Sequence, residues 1–481
     1  MRKRPNPAIA KAMRALEAGI PRARADARLP AYHFRPPARW MGDINGPIYH
    51  KGYYHIFYQH NPYDEKFGSV HWGHARSKDL VFWEHLPIAL WPSKDKGEDH
   101  CYSGASVING EGRPMIFYTS MPTSEQWAAV GDDDLIVWEK HPGNPVLPAG
   151  IHSDIVRIGA WRDPFIFKHG GHTYLICGGW AGEKHGPGHS RGIVSLYRGR
   201  NAGLTDWECL GPLYCHPYSP DNACPNFFQV GEKWALFMSR HDPHVVNYYV
   251  GAWDLFRFHP ESAGTMCYSE DMYATQGLYD AKGRLILWGT LHAYRTGKGS
   301  IDWPGCLTLP SVVSLRPDGL LGFEPAPELR KLRGKRRREP GISLSSSSHV
   351  MESTRGDLLE IAAEFEPKGA RAFGMKVRRS DDGKRAIAIR YDEDGLEVNG
   401  IRGLFNEKEK DVGPFKLLAG ETTLQLRVFL DKAIMEVYAN GRACFSRLLD
   451  SREEDLGVEV FAEEGAVRVK RFDAWEMGAI W

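Results

Sequence analysis

The chain has 481 residues, with 61 Lys and Arg against 60 Asp and Glu and a formal net charge of +1. That length exceeds one ordinary core and predicts two domains. The balanced charge supplies no net field for nucleic acid or an anionic membrane, and favours a small neutral ligand. Aromatic residues make up 12% of the chain, including 15 Trp; such flat faces suit stacked sugar rings as well as ordinary β cores.

The start, MRKRPNPAIAKAMRALEAG, has a basic front but no apolar run of secretory length. No later segment reaches the roughly 18 apolar residues of a membrane span. The 8 Cys are scattered, with no CxxC pair and no Cys/His spacing for zinc. A soluble cytoplasmic protein with reduced thiols is predicted, a mature form that has lost its signal being the alternative. Within an N-terminal extension (1–30), residues 7–18 are the one convincing helix.

From residue 31 onward the texture is β. YYHIFYQ (53–59), PMIFYTS (114–120), TYLICGG (173–179) and KWALFMS (233–239) lie between clusters of Gly, Pro, Asn and Asp. Leu-x-x-Trp-Glu recurs as LVFWE (80–84), LIVWE (135–139) and LTDWE (204–208). The spacing suits one four-stranded propeller blade per copy, which makes residues 31–330 one domain. KLRGKRRREPGISLSSSS (331–348) combines a basic run with Pro, Gly and Ser and predicts a linker over 331–345, a solvated charge run rather than a nucleic-acid patch. Alternating strands such as AIAIRYD (386–392), AIMEVYANG (433–441) and VEVFAEEG (458–465) then predict a β-sandwich over 346–481.

Two acids sit in suggestive loops. Asp43 lies in WMGDING (40–46), where Asp and Asn beside Gly also suit an Asx-type turn. Asp163 lies in WRDPFIF (161–167), where Arg-Asp-Pro also suits a turn leading into a strand.

Taken in order, WMGDING, FYQHNP (57–62), HWGHARSKDLVFWEHLPIAL (71–90), YSGASV (102–107), WRDP (161–164), ACPNFF (223–228) and MYATQ (272–276) resemble glycoside hydrolase family 32, the invertases, inulinases, levanases and fructan hydrolases. LQLRVFLDKAIMEVYANGRA (424–443) is similar to that family's C-terminal sandwich. The resemblance covers roughly residues 30–480. It implies an all-β fold, a five-bladed β-propeller followed by a β-sandwich.

The implied chemistry is retaining hydrolysis of β-fructofuranosides. One carboxylate attacks the sugar and a second carboxyl protonates the departing oxygen, the two being about 5–5.5 Å apart in retaining enzymes. The resemblance makes Asp43 the nucleophile and Asp163 the transition-state stabiliser. It assigns Arg162, Gln59, Trp72, Ser103, Asn45 and Tyr273 to substrate binding. No metal or organic cofactor is implied. The implied partner is a sucrose-like sugar or an oligosaccharide, with a homo-oligomer left open. Gly42 and Ile44 depart from the family's W-M-N-D-P-N-G, and Phe67 stands where relatives often carry Trp.

The family's general acid belongs to a Glu-Cys-Pro motif, and two segments compete for it. WEC (207–209) supplies Glu208, but that Glu is the third member of the blade repeat, and a catalytic acid has no reason to recur in every blade. DNACPNFF (221–228) continues as the family does after its acid, which puts Ala223 at the acid position. Alanine transfers no proton. Three explanations stand: a Glu-to-Ala replacement, a chain that borrows Asp221 as alternative acid, or a non-catalytic sugar binder. A furanosidase for arabinose-type sugars is a further alternative on the same scaffold.

Overall fold

A computed structural model describes residues 6–152, 158–182, 191–216, 221–241, 244–292, 303–402 and 414–481. The period-two apolar runs form seven sheets among these residues. Five are meanders that follow the chain, the last with a short extra strand, Cys306–Leu307, beside its second, and they are the blades of a propeller. Blade 1 starts at Trp40–His50, blade 2 at His100–Ile108, blade 3 at Ile158–His169, blade 4 at Ala223–Val230 and blade 5 at Met272–Tyr279. These five first strands are the innermost; they pack side by side in chain order, and the fifth closes on the first.

The Leu-x-x-Trp-Glu repeat marks the same turn in blades 1, 2 and 3. Leu80, Leu135 and Leu204 have φ of 67°, 61° and 58°, and Trp83, Trp138 and Trp207 each open the outermost strand. A bulky residue in that conformation is strained, and the Trp helps fix it: the Trp138 and Trp207 indoles donate to the Leu135 and Leu204 carbonyls at 2.8 and 3.0 Å. Leu255, with φ of 78° before the Phe258–Thr265 strand, is a fourth copy in which Phe replaces Trp. The Glu of the repeat points to a neighbouring outer strand. Glu84 accepts from Arg76 and Glu208 from Arg198, both at 2.8 Å.

The ring has a seam between blades 5 and 1. No strand crosses it among the described residues; loop and side-chain hydrogen bonds close it. The Met41 amide donates to the Pro304 carbonyl at 3.0 Å, the Ile44 amide to Thr290 Oγ1 at 2.9 Å and the Gly46 amide to Gln276 Oε1 at 2.7 Å.

The N-terminal helix runs Pro7–Ala25, beyond the predicted 7–18, capped by Asn6 Oδ1 accepting from the Ala8 amide at 2.9 Å with Pro at its first position. It lies on the outermost strand of blade 1. No helix among the described residues is long and apolar enough to cross a membrane.

The remaining two sheets form the sandwich around their own apolar core. Here the expected linker over 331–345 is corrected. Arg333–Glu339 and Ile342–Ser345 both pair with the long Ala466–Met477 strand, at the edge of the larger sheet. Pro340 and Gly341 only separate the two, and a basic edge strand is a common guard against edge-to-edge aggregation.

The domains meet across apolar residues, Phe429, Ile434 and Tyr438 joining the propeller's cluster, and around one polar knot. Asp431 of the sandwich accepts from the Ala31, Tyr32 and His33 amides at 2.6, 2.8 and 2.8 Å, and contacts His33 Nδ1 at 2.8 Å. His33 Nε2 lies 3.3 Å from Glu436 Oε1. All three residues are fully buried. Burial alone would lower the His33 pKa, but the hydrogen bonds to Asp431 and Glu436 outweigh it and raise it to about 9.

Candidate active site

Each innermost strand carries a β-bulge at the same height. The pairing slips between Met41 and Ile44, Cys101 and Gly104, Arg162 and Phe165, Ala223 and Asn226, and Tyr273 and Gln276. A bulge re-aims side chains and frees amides from the ladder. Asp163, Cys224 and Ala274, at matching positions, have φ of 61°, 46° and 48°. Their amides find other acceptors. Asp163 donates to Thr119 Oγ1 at 2.9 Å, Ala274 to Ser239 Oγ at 3.0 Å, and Cys224 to the Asp163 carboxylate at 3.0 Å. Thus five separate bulges converge on one axis.

There they line a cavity of about 340 Å³. Of the residues expected from sequence, Asp43, Gln59, Arg162, Asp163, Ala223 and Tyr273 line it. Asp43 Oδ2 accepts from Ser103 Oγ at 2.7 Å and from Gln59 Nε2 at 3.3 Å. Cys224 Sγ lies 3.7 Å from both Asp43 Oδ2 and Asp163 Oδ2, so the segment beginning at Ala223 sits between the two carboxylates.

Ser103, Trp72 and Asn45 do not line the cavity, and their expected place as direct sugar contacts is corrected. All three are fully buried. Ser103 holds Asp43 and Gln59 instead, the latter at 2.8 Å, and the Trp72 indole donates to the Tyr102 carbonyl at 3.0 Å. Asp221 does not line it either. Its carboxylate is taken by Arg162, with Nη2 at 2.7 Å. Glu208 is on the outermost strand of blade 3, far along the blade from the axis.

Sequence reasoning missed His292, Tyr102 and Cys224 as lining residues. His292 Nε2 lies 3.4 Å from Asp43 Oδ1. It follows the second strand of blade 5 in no motif, so no sequence signal singled it out. Cys224 lies within ACPNFF (223–228), but only the bulge shows that it faces the acids. Phe67, half exposed, stands edge-on to Trp40 at 5.5 Å on the rim.

Burial pushes the Asp163 carboxyl up to about 6; Arg162 and the Cys224 amide oppose the rise, and Asp43 adds to it. Burial disfavours the Arg162 cation, yet Asp163 and Asp221 together hold its pKa above the ordinary value. A sugar whose hydroxyls donate to Asp163 needs the ionised carboxylate. Its Kd should therefore hold steady above about pH 6 and weaken by up to about tenfold per unit below it. Calorimetric titration of a bound neutral sugar across that range checks this; a flat profile contradicts it.

Two family models match the chain almost end to end: the glycosyl hydrolases family 32 N-terminal domain over residues 33–325 and the glycosyl hydrolases family 32 C terminal over residues 328–476. A levanase of Bacillus subtilis is 28% identical, over 94% of this chain and 71% of its own. A sucrose-6-phosphate hydrolase of Zymomonas mobilis is 28% identical, over 93% of this chain and 92% of its own. Among solved structures, a family 32 β-fructofuranosidase of Bombyx mori superposes with a TM-score of 0.76 at 26% identity, covering 98% of this chain and 99% of that one. An aspartate-to-alanine variant of that protein is solved with sucrose.

Proposed function

Because the chain belongs to glycosyl hydrolase family 32, we propose that its cavity takes a β-fructofuranoside, and that it is a retaining glycosidase whose proton donor is missing. The carrying observation is the pair of acids, Asp163 buried and Asp43 partly exposed, that Cys224 Sγ touches at 3.7 Å each, beside a buried alanine where the third acid belongs. In this reading Asp43 attacks the anomeric carbon. Ser103 and Gln59 hold one of its oxygens and His292 lies by the other, which fixes the approach and avoids reorganisation at the moment of reaction. Asp163, anchored by Arg162 and the Cys224 amide, accepts from sugar hydroxyls whose hydrogen bonds tighten as positive charge develops on the ring.

The departing oxygen finds no side-chain acid at Ala223. Asp221 is a poor substitute, since the Arg162 fork occupies its carboxylate outside the cavity wall. The undisturbed surroundings fit a Glu-to-Ala replacement in an otherwise competent site. A pure sugar-binding protein is the second reading, and Ala223 is what favours it.

Binding and substrate class are tested together. Calorimetric titration of the chain with sucrose, 1-kestose and an arabinan oligosaccharide should give saturable heat for the two fructosides only. Asp163→Asn should weaken that binding by about 10- to 150-fold, the loss of one charge-assisted hydrogen bond worth about 1.5–3 kcal/mol. Saturable binding of the arabinan and none of either fructoside would overturn the substrate class.

A further inference from the structure

The basic run that sequence reading took for a linker has no part in the sugar site. As the edge strand Arg333–Glu339 it borders a groove of about 500 Å³ on the outer face of the larger sandwich sheet, which shares no lining residue with the sugar cavity. Five arginines reach this groove, Arg330, Arg333, Arg336, Arg427 and Arg471, against one lining acid, Glu364, which Lys470 pairs at 2.9 Å.

Beneath them lie two carboxylates, Glu360 and Asp473, both fully buried. Glu360 accepts from Arg333 Nε at 2.7 Å and Nη2 at 2.6 Å, and from Arg427 Nη2 at 2.7 Å. Asp473 accepts from Arg336 Nε at 3.0 Å and Nη2 at 2.8 Å, and from Arg471 Nε at 2.6 Å. Each carboxylate therefore holds two guanidinium groups. Stapling the edge strand to the sheet would need only one arginine per acid, so the groove carries an excess of fixed positive charge. Arg336 and Arg471 are about half exposed, with donors turned to solvent.

The spacing is also set by the sheet. Glu360 pairs with Trp475 and Ala362 with Asp473, which makes the two acids diagonal neighbours, roughly 7–8 Å apart. Ala362, the small residue beside them, leaves the floor open. The Arg333 guanidinium sits over Trp475, its Cζ 3.8 Å from the ring centroid, and is fixed from a second side.

We propose that this groove binds a small ligand bearing two directly linked phosphate-like groups, seated between the two arginine pairs so that each pair reaches oxygens of one group. Guanidinium forks match phosphate oxygens in pairs, and here the forks are held before the ligand arrives, so little side-chain freedom is lost on binding.

The probe is pyrophosphate, titrated calorimetrically into the full chain, with inorganic phosphate alongside. Pyrophosphate should bind saturably and about tenfold or more tighter than inorganic phosphate, with affinity falling as salt rises. Arg336→Gln and Arg471→Gln each leave Asp473 its other arginine, so the fold is kept. Each should weaken pyrophosphate by about tenfold and leave sucrose binding unchanged. Arg336→Lys, which keeps the charge without the fork, should behave like Arg336→Gln. Absent saturable heat with pyrophosphate, equal affinity in the Gln variants, or inorganic phosphate binding as well as pyrophosphate each overturns the proposal. Full affinity in Arg336→Lys overturns the fork recognition on which it rests.

Discussion

Ala223→Glu should raise the rate of fructose release from sucrose or a fructan by about 10²- to 10⁴-fold, the usual contribution of a positioned general acid. Ala223 heads the innermost strand of blade 4 and lines the cavity with both acids. A side chain three atoms longer has open space ahead of it. Its carboxyl would arrive among Asp43 and Asp163, whose negative charge disfavours ionisation and keeps it a proton donor near neutral pH. Ala223→Gln has the same reach without the proton, so it separates chemistry from shape. If the Glu variant binds sucrose yet releases no fructose, or if Gln and Glu variants turn over alike, the enzyme reading fails.

Asp431→Ala should cost about 3–5 kcal/mol of stability, because it leaves a buried charged partner, two buried amides and one partly buried amide without their acceptor. The carboxylate accepts from all three amides of residues 31–33, and the loss should show as a lowered denaturant midpoint. His33 gives the pH dependence its sign. Its folded pKa of about 9 lies above the ordinary value of 6.5, so the knot contributes fully below about pH 6.5 and is lost as pH rises through about 9. The difference between wild type and Asp431→Ala should therefore shrink in that window. An equal difference at both ends would remove His33 from the account.

The blades were legible because their signals are local. A Leu at positive φ and an aromatic three residues on recur within one turn, and only the Phe-bearing copy at Leu255 escaped a pattern written around Trp. The acids at 43 and 163 and the alanine at 223 were legible through short contiguous motifs, and the repeat exposed Glu208 as a blade residue. Direction was harder to read. Ser103, Trp72 and Asn45 lie in the right segments, but a bulge decides which side chain turns to the axis, and a bulge is a property of the pairing between strands. The basic stretch at 333–339 was misread for a similar reason. Its partners, Glu360 and Asp473, are distant in sequence, and charge without its counter-charges reads as solvated chain. His33 and Asp431, some 400 positions apart, left no trace that one sequence could show.

The seam between blades 5 and 1 gives sugar binding a second meaning. Asp43 belongs to blade 1, whereas Tyr273 and His292 belong to blade 5. A ligand seated against all three spans the junction where the first and last blades of the ring meet. Its binding energy is also ring-closing energy, and by mass action a ligand at a hundred times its Kd adds about 2.7 kcal/mol to the closed form. Under the proposed function the sugar is then less a fuel than a keystone: held rather than consumed, it locks the circle from inside.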